Sequence, residues 1–411
     1  MKLNNLINSQ YTVLLKILAS SAILRLVSAV LGFLFTLYVT NSFNIEDSGL
    51  ILLYFAIFTF LSFNFRFGLD TYIIKALTQD ESYGFEFSEL VNYICIFSIL
   101  FFTGLLLVLY FTSEIVFLLF YISIFFNGIH FLISFFFQAR NYIYHSIIFQ
   151  NILFMSIILI VSLLFQINIV EDFAKVFLFS SIFTSLLSLC FFFKKFGNSK
   201  LQFKLKKIII SSFPFFSTLV FTQLSQWSSQ FILGYSEDKA MVAIFASVQR
   251  VSLLISFFLI SVNFVLAPKF STLIKESKFG ELNSLYKRSV FVISILTFPI
   301  ILLVIYTPNL VLNFFGPEYS EGSTALRILC IAQLFNVLTG SVAIILNLSG
   351  KELLVRNVNF FGALLTISLG VLLIPSFPLI GSAVSMASSI IFVNAINFKA
   401  AKDLFENNKG S

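Results

Sequence analysis

Long apolar runs divide the chain into twelve segments, each long enough to cross a bilayer. A membrane-spanning helix needs roughly 20 apolar residues. The runs lie at residues 13–40, 48–69, 88–111, 115–137, 143–166, 172–193, 209–233, 240–266, 289–313, 323–348, 353–374 and 378–398. They do not alternate with polar residues, which favours helices over the strands of a β-barrel. The pattern predicts an all-α polytopic membrane protein with about twelve transmembrane helices.

The most basic segment of the chain lies between the sixth and the seventh run. Residues Lys194–Lys207 have the sequence KKFGNSKLQFKLKK, with six lysines and no acidic residue. Short loops rich in lysine and arginine stay on the cytoplasmic side of a membrane. We therefore predict an N-terminal lobe of six helices at residues 1–193, a basic cytoplasmic linker at 194–208, and a C-terminal lobe of six helices with a short cytoplasmic tail at 209–411.

The other loop charges agree with this orientation. Besides the linker, it assigns to the cytoplasm Lys2, Lys75, Arg140, Lys269, Lys275, Lys278, Lys287, Arg288, Lys351, Arg356, Lys399, Lys402 and Lys409, and it leaves only Lys239 in a loop on the other side. Both termini are then predicted to be cytoplasmic. This bias accounts for the formal net charge of +7, so the charge does not indicate a nucleic-acid partner.

Composition argues against several kinds of chemistry. The chain is 58% hydrophobic and 11% charged, whereas a soluble protein carries about 25% charged residues. With two histidines and no CxxC pair, we predict neither a metal site nor a cofactor. No Walker-type glycine loop is present, which argues against ATP hydrolysis within this chain. His130, in the fourth run, is either a proton-relay group or a packed, hydrogen-bonded histidine.

The two halves of the chain are weakly similar to each other. Glu46-Asp47 follows the first run, and Glu237-Asp238 follows the seventh. Residues 85–93 (FEFSELVNY) also resemble residues 278–286 (KFGELNSLY). In each half we expect a longer, charged, amphipathic loop after the second run. With six spans in each half, the lobes would be parallel repeats related by an axis along the membrane normal.

Short motifs follow one another in a recognisable order. GLDT ends the second run at residues 68–71, and VLAPK (265–269), NFFGPEY (313–319), LNLSGK (346–351) and LIGSAV (379–384) follow in the second half. This ordered set resembles the polysaccharide exporter branch of the multidrug/oligosaccharidyl-lipid/polysaccharide superfamily, and the O-antigen or capsular-repeat flippases most closely. Within it we interpret Gly316–Tyr319 as a turn that orients two spans, because glycine and proline break helices.

The resemblance implies a fold and a function. The fold is two six-helix lobes that enclose a central cavity, which opens to alternate sides of the membrane. The substrate is an oligosaccharide repeat unit of O-antigen, lipopolysaccharide or capsule, linked to undecaprenyl pyrophosphate and moved across the bacterial cytoplasmic (inner) membrane. The implied partners are this glycan, membrane lipids, and a polymerase with other glycan-assembly proteins; no catalytic residue is implied.

Three arginines within or near the ends of the predicted spans are candidate ligands for the pyrophosphate. Arg25 lies near the middle of the first run, Arg250 lies near the middle of the eighth, and Arg66 lies near the cytoplasmic end of the second. An arginine at the bilayer centre costs at least roughly 2.5–3.5 kcal/mol, so it should face a cavity or a partner. The resemblance places these spans around the cavity, and guanidinium binds phosphate through paired, charge-assisted hydrogen bonds. For Arg66, an anchor at the head groups is the alternative.

Polar residues of the seventh run form a second candidate site. Gln223, Gln226 and Gln230 share one helical face, and Trp227 lies beside them. Amides can bind sugar hydroxyls and an indole can stack on a sugar ring, but hydrogen bonds between helices are an equal alternative. The remaining polar residues of the spans, among them Asn127, Asn263, Gln333 and Asn336, we interpret as such interhelical contacts.

Two other functions compete with the flippase. A cation-coupled multidrug exporter of the same superfamily would use intramembrane carboxylates, and the spans contain none near their centres. A membrane polysaccharide polymerase or glycosyltransferase would need catalytic residues and a sizeable outer loop, whereas the predicted outer loops are short and acidic. We therefore expect a transporter and not an enzyme.

Overall fold

The computed structural model describes residues 2–70, 72–73, 87–111, 114–140, 142–196, 205–235 and 238–408, and this part of the chain contains helices and no strand. The first half forms α1 (Lys2–Ser42), α2 (Ile45–Phe65), α3 (Phe87–Phe111), α4 (Ile115–Ala139), α5 (Ile143–Ile147), α6 (Leu153–Leu164) and α7 (Val170–Phe196). The second half forms α8 (Leu205–Tyr235), α9 (Lys239–Ile255), α10 (Phe257–Lys275), α11 (Phe279–Tyr306), α12 (Pro308–Leu312), α13 (Ser323–Thr339), α14 (Val342–Leu348), α15 (Glu352–Leu373) and α16 (Pro378–Asn407). A π-helical segment, Ile148–Ile152, joins α5 to α6, and a 3-10 helix, Pro317–Gly322, precedes α13.

The predicted all-α membrane fold is confirmed. Within the described residues, nine helices are long and apolar enough to cross a membrane, and counting each of two bent helix pairs as one span brings the number to eleven. A shorter apolar stretch of α3, Asn92–Leu107, corresponds to the third predicted run. These elements follow the predicted runs in order, so the structure is consistent with twelve spans.

Two of the spans are bent, and no proline or glycine marks either bend. The α5–α6 pair is bent by 42° across the π-helical segment, and the α9–α10 pair is bent by 42° at Ser256. A π-helical turn is a known cause of a kink, and such turns are frequent at functional sites. The tenth predicted run is also divided, at Gly340, whose positive φ of 64° ends α13.

The sequence predicts a long, charged, amphipathic loop between the eighth and ninth runs. In the structure this segment consists of two helix ends joined by a short turn. Helix α10 continues to Lys275 and α11 begins at Phe279, so only residues 276–278 separate them. Within this turn Lys278 Nζ lies 2.8 Å from a carboxylate oxygen of Glu276. The connection between the eighth and ninth runs is therefore mostly helical, because its amphipathic sequence extends both helices beyond residues 266 and 289. Residues 74–86, its counterpart in the first half, lie outside the described residues.

Matching helix caps support the relation between the two halves. At the start of α2, the backbone N–H of Asp47 donates to Asn44 Oδ1 over 2.8 Å. At the start of α9, the backbone N–H of Met241 donates to Asp238 Oδ1 over 3.1 Å. Each cap satisfies a backbone donor that the first turn of a helix leaves free. The acidic turns after the first and seventh runs therefore begin equivalent helices.

The helices pack as two lobes that meet along α1, α2, α8, α9 and α10. In the N-terminal lobe α4 packs along α7, and in the C-terminal lobe α15 and α16 pack together and against α8 and α13. Between the lobes, α2 contacts α8 and α9, and α1 contacts α9 and α10. The predicted lobe boundaries at residues 193 and 209 fall near the end of α7 and the start of α8, and residues 197–204 of the linker lie outside the described residues.

The lobes are tightly joined at the end of the bundle that the charge pattern predicts to be outer. A Cβ atom on Gly49 would lie 1.7 Å from the Lys239 carbonyl oxygen, so only glycine lets α2 and α9 approach so closely. Asn41 Nδ2 donates to the Phe314 carbonyl oxygen over 3.0 Å. Leu53 of α2 packs in the same buried cluster as Leu233. These contacts close the gap between the lobes at this end.

A broad belt of exposed apolar side chains surrounds the bundle. Leu106 on α3, Leu164 on α6 and Leu372 on α15 are 70%, 74% and 71% exposed. A soluble protein rarely leaves so many large apolar side chains in contact with water. The belt identifies the surface that faces lipid.

Candidate functional site

Arg250 reaches from the C-terminal lobe onto the N-terminal lobe. Its Nε donates to Thr36 Oγ1 on α1 over 3.0 Å, and its guanidinium carbon lies 6.0 Å from the centre of the Phe55 ring on α2. Opposite Arg250, α1 has Gly32, where a Cβ atom would lie 3.3 Å from Nη1. Among the described residues, no carboxylate forms an ion pair with Arg250. The structure thus places a cation without a paired acid at the junction of the lobes.

Arg25 lies on the same face of α1 as the residues that Arg250 contacts. It precedes Gly32 by 7 residues and Thr36 by 11, which are close to whole numbers of helical turns. At 1.5 Å per residue, Arg25 is about 10 Å from Gly32 along the helix axis, towards the N-terminal end of α1. Its side chain is partly exposed. Arg25 therefore lies on the face of α1 that meets Arg250, at a different depth.

The space around Arg250 is nearly closed. It is lined by Thr36, Phe55, Trp227 and Gln230, among others, and its volume is about 20 Å³. A space of this size holds about one water molecule. The structure thus brings Arg250, the predicted phosphate ligand, next to Trp227 and Gln230, two of the predicted sugar ligands. This conformation leaves no room for a pyrophosphate.

The three glutamines of α8 have three different environments. Gln223 accepts a hydrogen bond from Trp227 Nε1 over 2.8 Å. Gln230 donates to the Leu52 carbonyl oxygen of α2 over 3.1 Å, which is a contact between the lobes. Gln226 lines a larger cavity in the C-terminal lobe. In this conformation Gln226 alone among the three lines the larger cavity, and the role of all three as sugar ligands stays a prediction.

This larger cavity, which we call the amide cavity, has a volume of about 370 Å³ and lies among α8, α9, α10, α13, α15 and α16. Six carboxamide side chains line it: Gln226, Asn263, Gln333, Asn336, Asn359 and Asn394. The interhelical contacts predicted for Asn263, Gln333 and Asn336 are confirmed for two of them, since Gln333 accepts from Ser256 and Asn263 accepts from Ser341. Asn359 and Asn394 were not predicted to be part of a site. The six residues are spread over five of the predicted runs, and only the packing of the lobe shows that they converge.

Arg66 is fully buried inside the N-terminal lobe. It is 1% exposed, its guanidinium carbon lies 4.3 Å and 4.4 Å from the ring centres of Phe63 and Phe131, and its Nε donates to the Ser62 carbonyl oxygen. In this conformation Arg66 reaches neither the head groups nor an open cavity. The anchor interpretation is therefore wrong for this conformation, because aromatic rings and not lipid surround the guanidinium.

Asp70 is a buried acidic residue next to Arg66 that the apolar runs did not predict to be part of a site. It is 4% exposed and interacts electrostatically with Arg66. Between them the chain turns at Phe67 and Gly68, which have φ values of 51° and 70°. A Cβ atom on Gly68 would lie 2.5 Å from the Phe216 backbone nitrogen, so glycine is required for α8 to approach. The spacing of four residues between the opposite charges was the available signal.

His130 is fully buried in the N-terminal lobe, close to the rings of Phe131 and Phe154. The packing agrees with the second of the two predicted alternatives, whereas the hydrogen bonds of that alternative stay a prediction. The N-terminal lobe separates His130 from the amide cavity. Within the described part of the chain there is no group of three His, Cys, Asp or Glu side chains that could hold a metal ion. Lys175, near the predicted outer end of α7, pairs with Glu171 and Asp172 over 2.9 Å and 3.0 Å.

Comparison with solved structures finds proteins that share this fold. Two solved structures share the fold: an inward-facing multidrug resistance MATE family transporter of the MOP superfamily, and the lipid II flippase MurJ in an inward closed conformation. The first has a TM-score of 0.78 at 13% identity over 95% of this chain and 99% of the other. The second has a TM-score of 0.75 at 17% identity over 93% and 87%.

Sequence comparisons define the family. An uncharacterized membrane protein of Methanocaldococcus jannaschii is 28% identical over 204 residues, which are 47% of this chain but only 39% of that relative. The MatE family model matches residues 214–372. The family model described as "Polysaccharide biosynthesis protein" matches residues 14–274, well over half of the chain. The match includes the junction of α1, α2, α8 and α9 that holds Arg250, and the chain belongs to the polysaccharide biosynthesis protein family.

Proposed function

We propose that this protein translocates an oligosaccharide repeat unit of O-antigen or capsule type, linked to undecaprenyl pyrophosphate, across the bacterial cytoplasmic membrane by alternating access. The observation that carries the proposal is Arg250, a cation that no described carboxylate pairs with, at the junction of the two lobes. An arginine inside a membrane span that no acidic side chain neutralises is expected to face a polar cavity or an anionic ligand. The pyrophosphate of a lipid-linked glycan supplies that anion during transport.

The charges at the interface suit a head group that must cross the membrane. Two unit charges about 4 Å apart attract by roughly 4 kcal/mol at an effective dielectric constant of 20. A pyrophosphate carries more than one negative charge, so even one arginine offsets much of its desolvation cost. Arg25 lies about 10 Å along α1 from Gly32, the residue opposite Arg250, and offers a second binding position for the head group. The head group can then pass from one cation to the other as the lobes move.

The closed contacts between the lobes fit one state of an alternating-access cycle. Gly49 against Lys239, and Asn41 against Phe314, join the lobes at the predicted outer end. The space of about 20 Å³ at Arg250 must widen before the head group can enter. We infer that α1 and α2 separate from α8 and α9 when the substrate binds, while the lipid tail stays among the membrane lipids outside.

Restoration of glycan export tests the proposal. The wild-type chain is expressed in a bacterial strain that lacks its own O-antigen or capsule flippase, together with the enzymes that make a candidate repeat unit. We expect surface glycan to reappear, and the same cells should gain no resistance to cationic drugs. Because the repeat unit is not known, several glycans are tested. Drug resistance without export of any glycan would contradict the proposal.

A cation-coupled multidrug exporter is the second candidate, because the MatE model matches residues 214–372 and the fold is that of a MATE transporter. Its test is the buried carboxylate of Asp70. If the protein exports drugs by cation coupling, Asp70→Asn abolishes a drug resistance that the wild type confers. The charges favour the flippase, because Asp70 interacts with the cation Arg66 and is therefore less available to bind a coupling cation or a cationic drug.

A further inference from the structure

The amide cavity offers many hydrogen-bonding groups and no charge. None of the residues that line it is acidic or basic, and all of them lie in the described part of the chain. Besides the six carboxamides, Ser225 contributes a buried hydroxyl group for which the structure shows no partner. Buried polar groups are normally paired, so this one points to a ligand or water. The volume of about 370 Å³ lies in the range of about 300–1,000 Å³ that small-molecule sites occupy.

Neighbouring residues hold two of these amides in one orientation. Gln333 Oε1 accepts hydrogen bonds from the Ser256 hydroxyl and, over 3.0 Å, from Asn336 Nδ2. Asn263 Oδ1 accepts a hydrogen bond from the Ser341 hydroxyl. With their oxygen atoms engaged in this way, the NH₂ groups of Gln333 and Asn263 remain available as donors. These donors are fixed before any ligand enters, which lowers the entropy cost of binding.

The chemistry of the cavity selects its ligand. A carboxylate or phosphate in this cavity would lose its water without meeting a countercharge, which is strongly unfavourable. Sugar hydroxyls both donate and accept, so they match carboxamides and serine hydroxyls without any charge. Leu253, Leu259 and Met386 also line the cavity and can pack against the C–H face of a sugar ring.

The amide cavity adjoins the space around Arg250. Leu253 lines both. Gln249, beside Arg250, donates to the Gln226 carbonyl oxygen over 2.8 Å and lies 3.8 Å from the sulfur of Met386, and both of these residues line the cavity. A phosphate held by Arg250 would therefore bring the sugar that is joined to it to the opening of the amide cavity.

We propose that the amide cavity binds an uncharged sugar residue, the one joined to the pyrophosphate, and rejects sugars that carry a carboxylate or phosphate. The position of this sugar in the glycan rests on the proposed function, because that function places the phosphate at Arg250. The preference for an uncharged sugar rests on the cavity alone. It defines a substrate class for this protein: repeat units whose first sugar is uncharged.

Protection of a thiol in the cavity tests the proposal. In the full chain with Cys95→Ala, Cys190→Ala and Cys330→Ala, reconstituted in nanodiscs, Thr222→Cys places a thiol on an exposed residue that lines the cavity. We expect N-acetylglucosamine to slow the reaction of this thiol with a water-soluble reagent in a saturable way, and glucuronic acid to leave the rate unchanged. Ser217→Cys, on the same helix but outside the cavity, should be unprotected by either sugar. Equal protection of the cavity thiol by both sugars, or by neither, overturns the proposal.

A second variant tests the proposal even if other substitutions lose binding through misfolding, because it should reverse the preference of the cavity from an uncharged to an acidic sugar. Asn336→Lys, added to the Thr222→Cys chain, puts a cation in the cavity and should make glucuronic acid the protecting sugar. It should also weaken the binding of N-acetylglucosamine by about fivefold or more, which corresponds to the loss of one hydrogen bond. Asn357→Lys, an exposed residue of α15 outside the cavity, is the matched control and should change neither. If Asn336→Lys leaves the preference unchanged, the proposal is wrong.

Arg250→Ala separates this inference from the proposed function. It should abolish glycan export and, in the Thr222→Cys chain, leave sugar protection of the cavity thiol intact. If sugar protection fails while Arg250→Ala still abolishes export, the amide cavity is not a sugar site and the flippase proposal stands. If protection is found but Arg250→Ala exports normally, the cavity binds sugar and the role of Arg250 is wrong.

Discussion

At the scale of single residues, Arg250 joins the lobes through one hydrogen bond, and its guanidinium faces the place where we expect phosphate. Lysine keeps the positive charge but loses the planar pair of donors. We therefore expect Arg250→Lys, and likewise Arg25→Lys, to retain part of the export, Arg→Ala to retain little, and Arg→Glu to retain none. The measurement is surface glycan in the flippase-deficient strain at equal membrane expression.

Arg356→Ala is the matched control for these variants. Arg356 lies on α15, lines neither the amide cavity nor the space around Arg250, and hydrogen-bonds the neighbouring Asn357, so export should be unchanged. If Arg250→Glu exports as well as Arg250→Lys, the electrostatic role of this residue is wrong.

Arg66 should affect stability and not transport. Arg66→Ala removes the cation that interacts electrostatically with the buried carboxylate of Asp70, and loss of a buried countercharge typically costs about 3–5 kcal/mol. Arg66→Ala should therefore lower the melting temperature of the purified protein in detergent, while the combined Arg66→Met, Asp70→Asn variant should recover part of the loss. A stable Arg66→Ala protein that is specifically deficient in export would show that Arg66 contacts the substrate in another conformation.

The apolar runs show that the three arginines lie within or near the ends of spans, but they do not show which of them are buried. Arg66 and Arg250 look alike in the sequence, since each lies in an apolar run. One is enclosed by Phe63 and Phe131 and the other reaches Thr36 on a distant helix. These environments depend on contacts between runs, which one unaligned sequence does not contain. The same reason explains why the convergence of Asn359 and Asn394 on the amide cavity was missed.

At the scale of helices, the close approach of α2 and α9 depends on Gly49. With alanine at this position, Cβ would lie 1.7 Å from the Lys239 carbonyl oxygen, so the two backbones must separate. We expect Gly49→Ala to loosen the outer contacts and lower the melting temperature, with a cost of about 1–3 kcal/mol, as for other overpacked sites. Disulfide crosslinking between Asn41→Cys and Phe314→Cys should fall in the same variant.

Gly280→Ala provides the comparison, since a Cβ atom there would meet no atom within 4 Å. It lies in the first turn of α11, where alanine is the better helix former, so stability should be equal or higher. If Gly49→Ala crosslinks and melts like Gly280→Ala, the contact between α2 and α9 does not hold the lobes together.

The runs of apolar residues predicted the helices well because a helix in lipid must satisfy its backbone within one continuous segment. They could not predict the bends at residues 148–152 and Ser256. Neither site has a proline or glycine, and the periodicity of the sequence continues through both. The bend at Ser256 is stabilised by tertiary contact, since the Ser256 hydroxyl donates to Gln333 on α13.

At the scale of the whole molecule, the orientation in the membrane stays a prediction from charge. The positive-inside rule places the segment around Gly197 and the turn before Phe279 in the cytoplasm, and Ser236 and Ser320 outside. Reporter fusions at these four positions measure the side directly. A reporter at Gly197 that is active on the outer side would contradict both the orientation and the assignment of the closed end as outer.

We propose that Arg250, at the junction of the lobes, and Arg25, on the face of α1 that meets it, carry a pyrophosphate across the membrane. The most direct measurement is the transfer of a fluorescent undecaprenyl-pyrophosphate oligosaccharide between leaflets of proteoliposomes that contain only the purified protein, with a membrane-impermeant quencher reporting the exposed fraction. The account predicts that the wild-type protein equilibrates the lipid between leaflets, and that the combined Arg25→Ala, Arg250→Ala variant leaves it where it was loaded. Equal transfer by the wild-type protein and this variant would contradict the account.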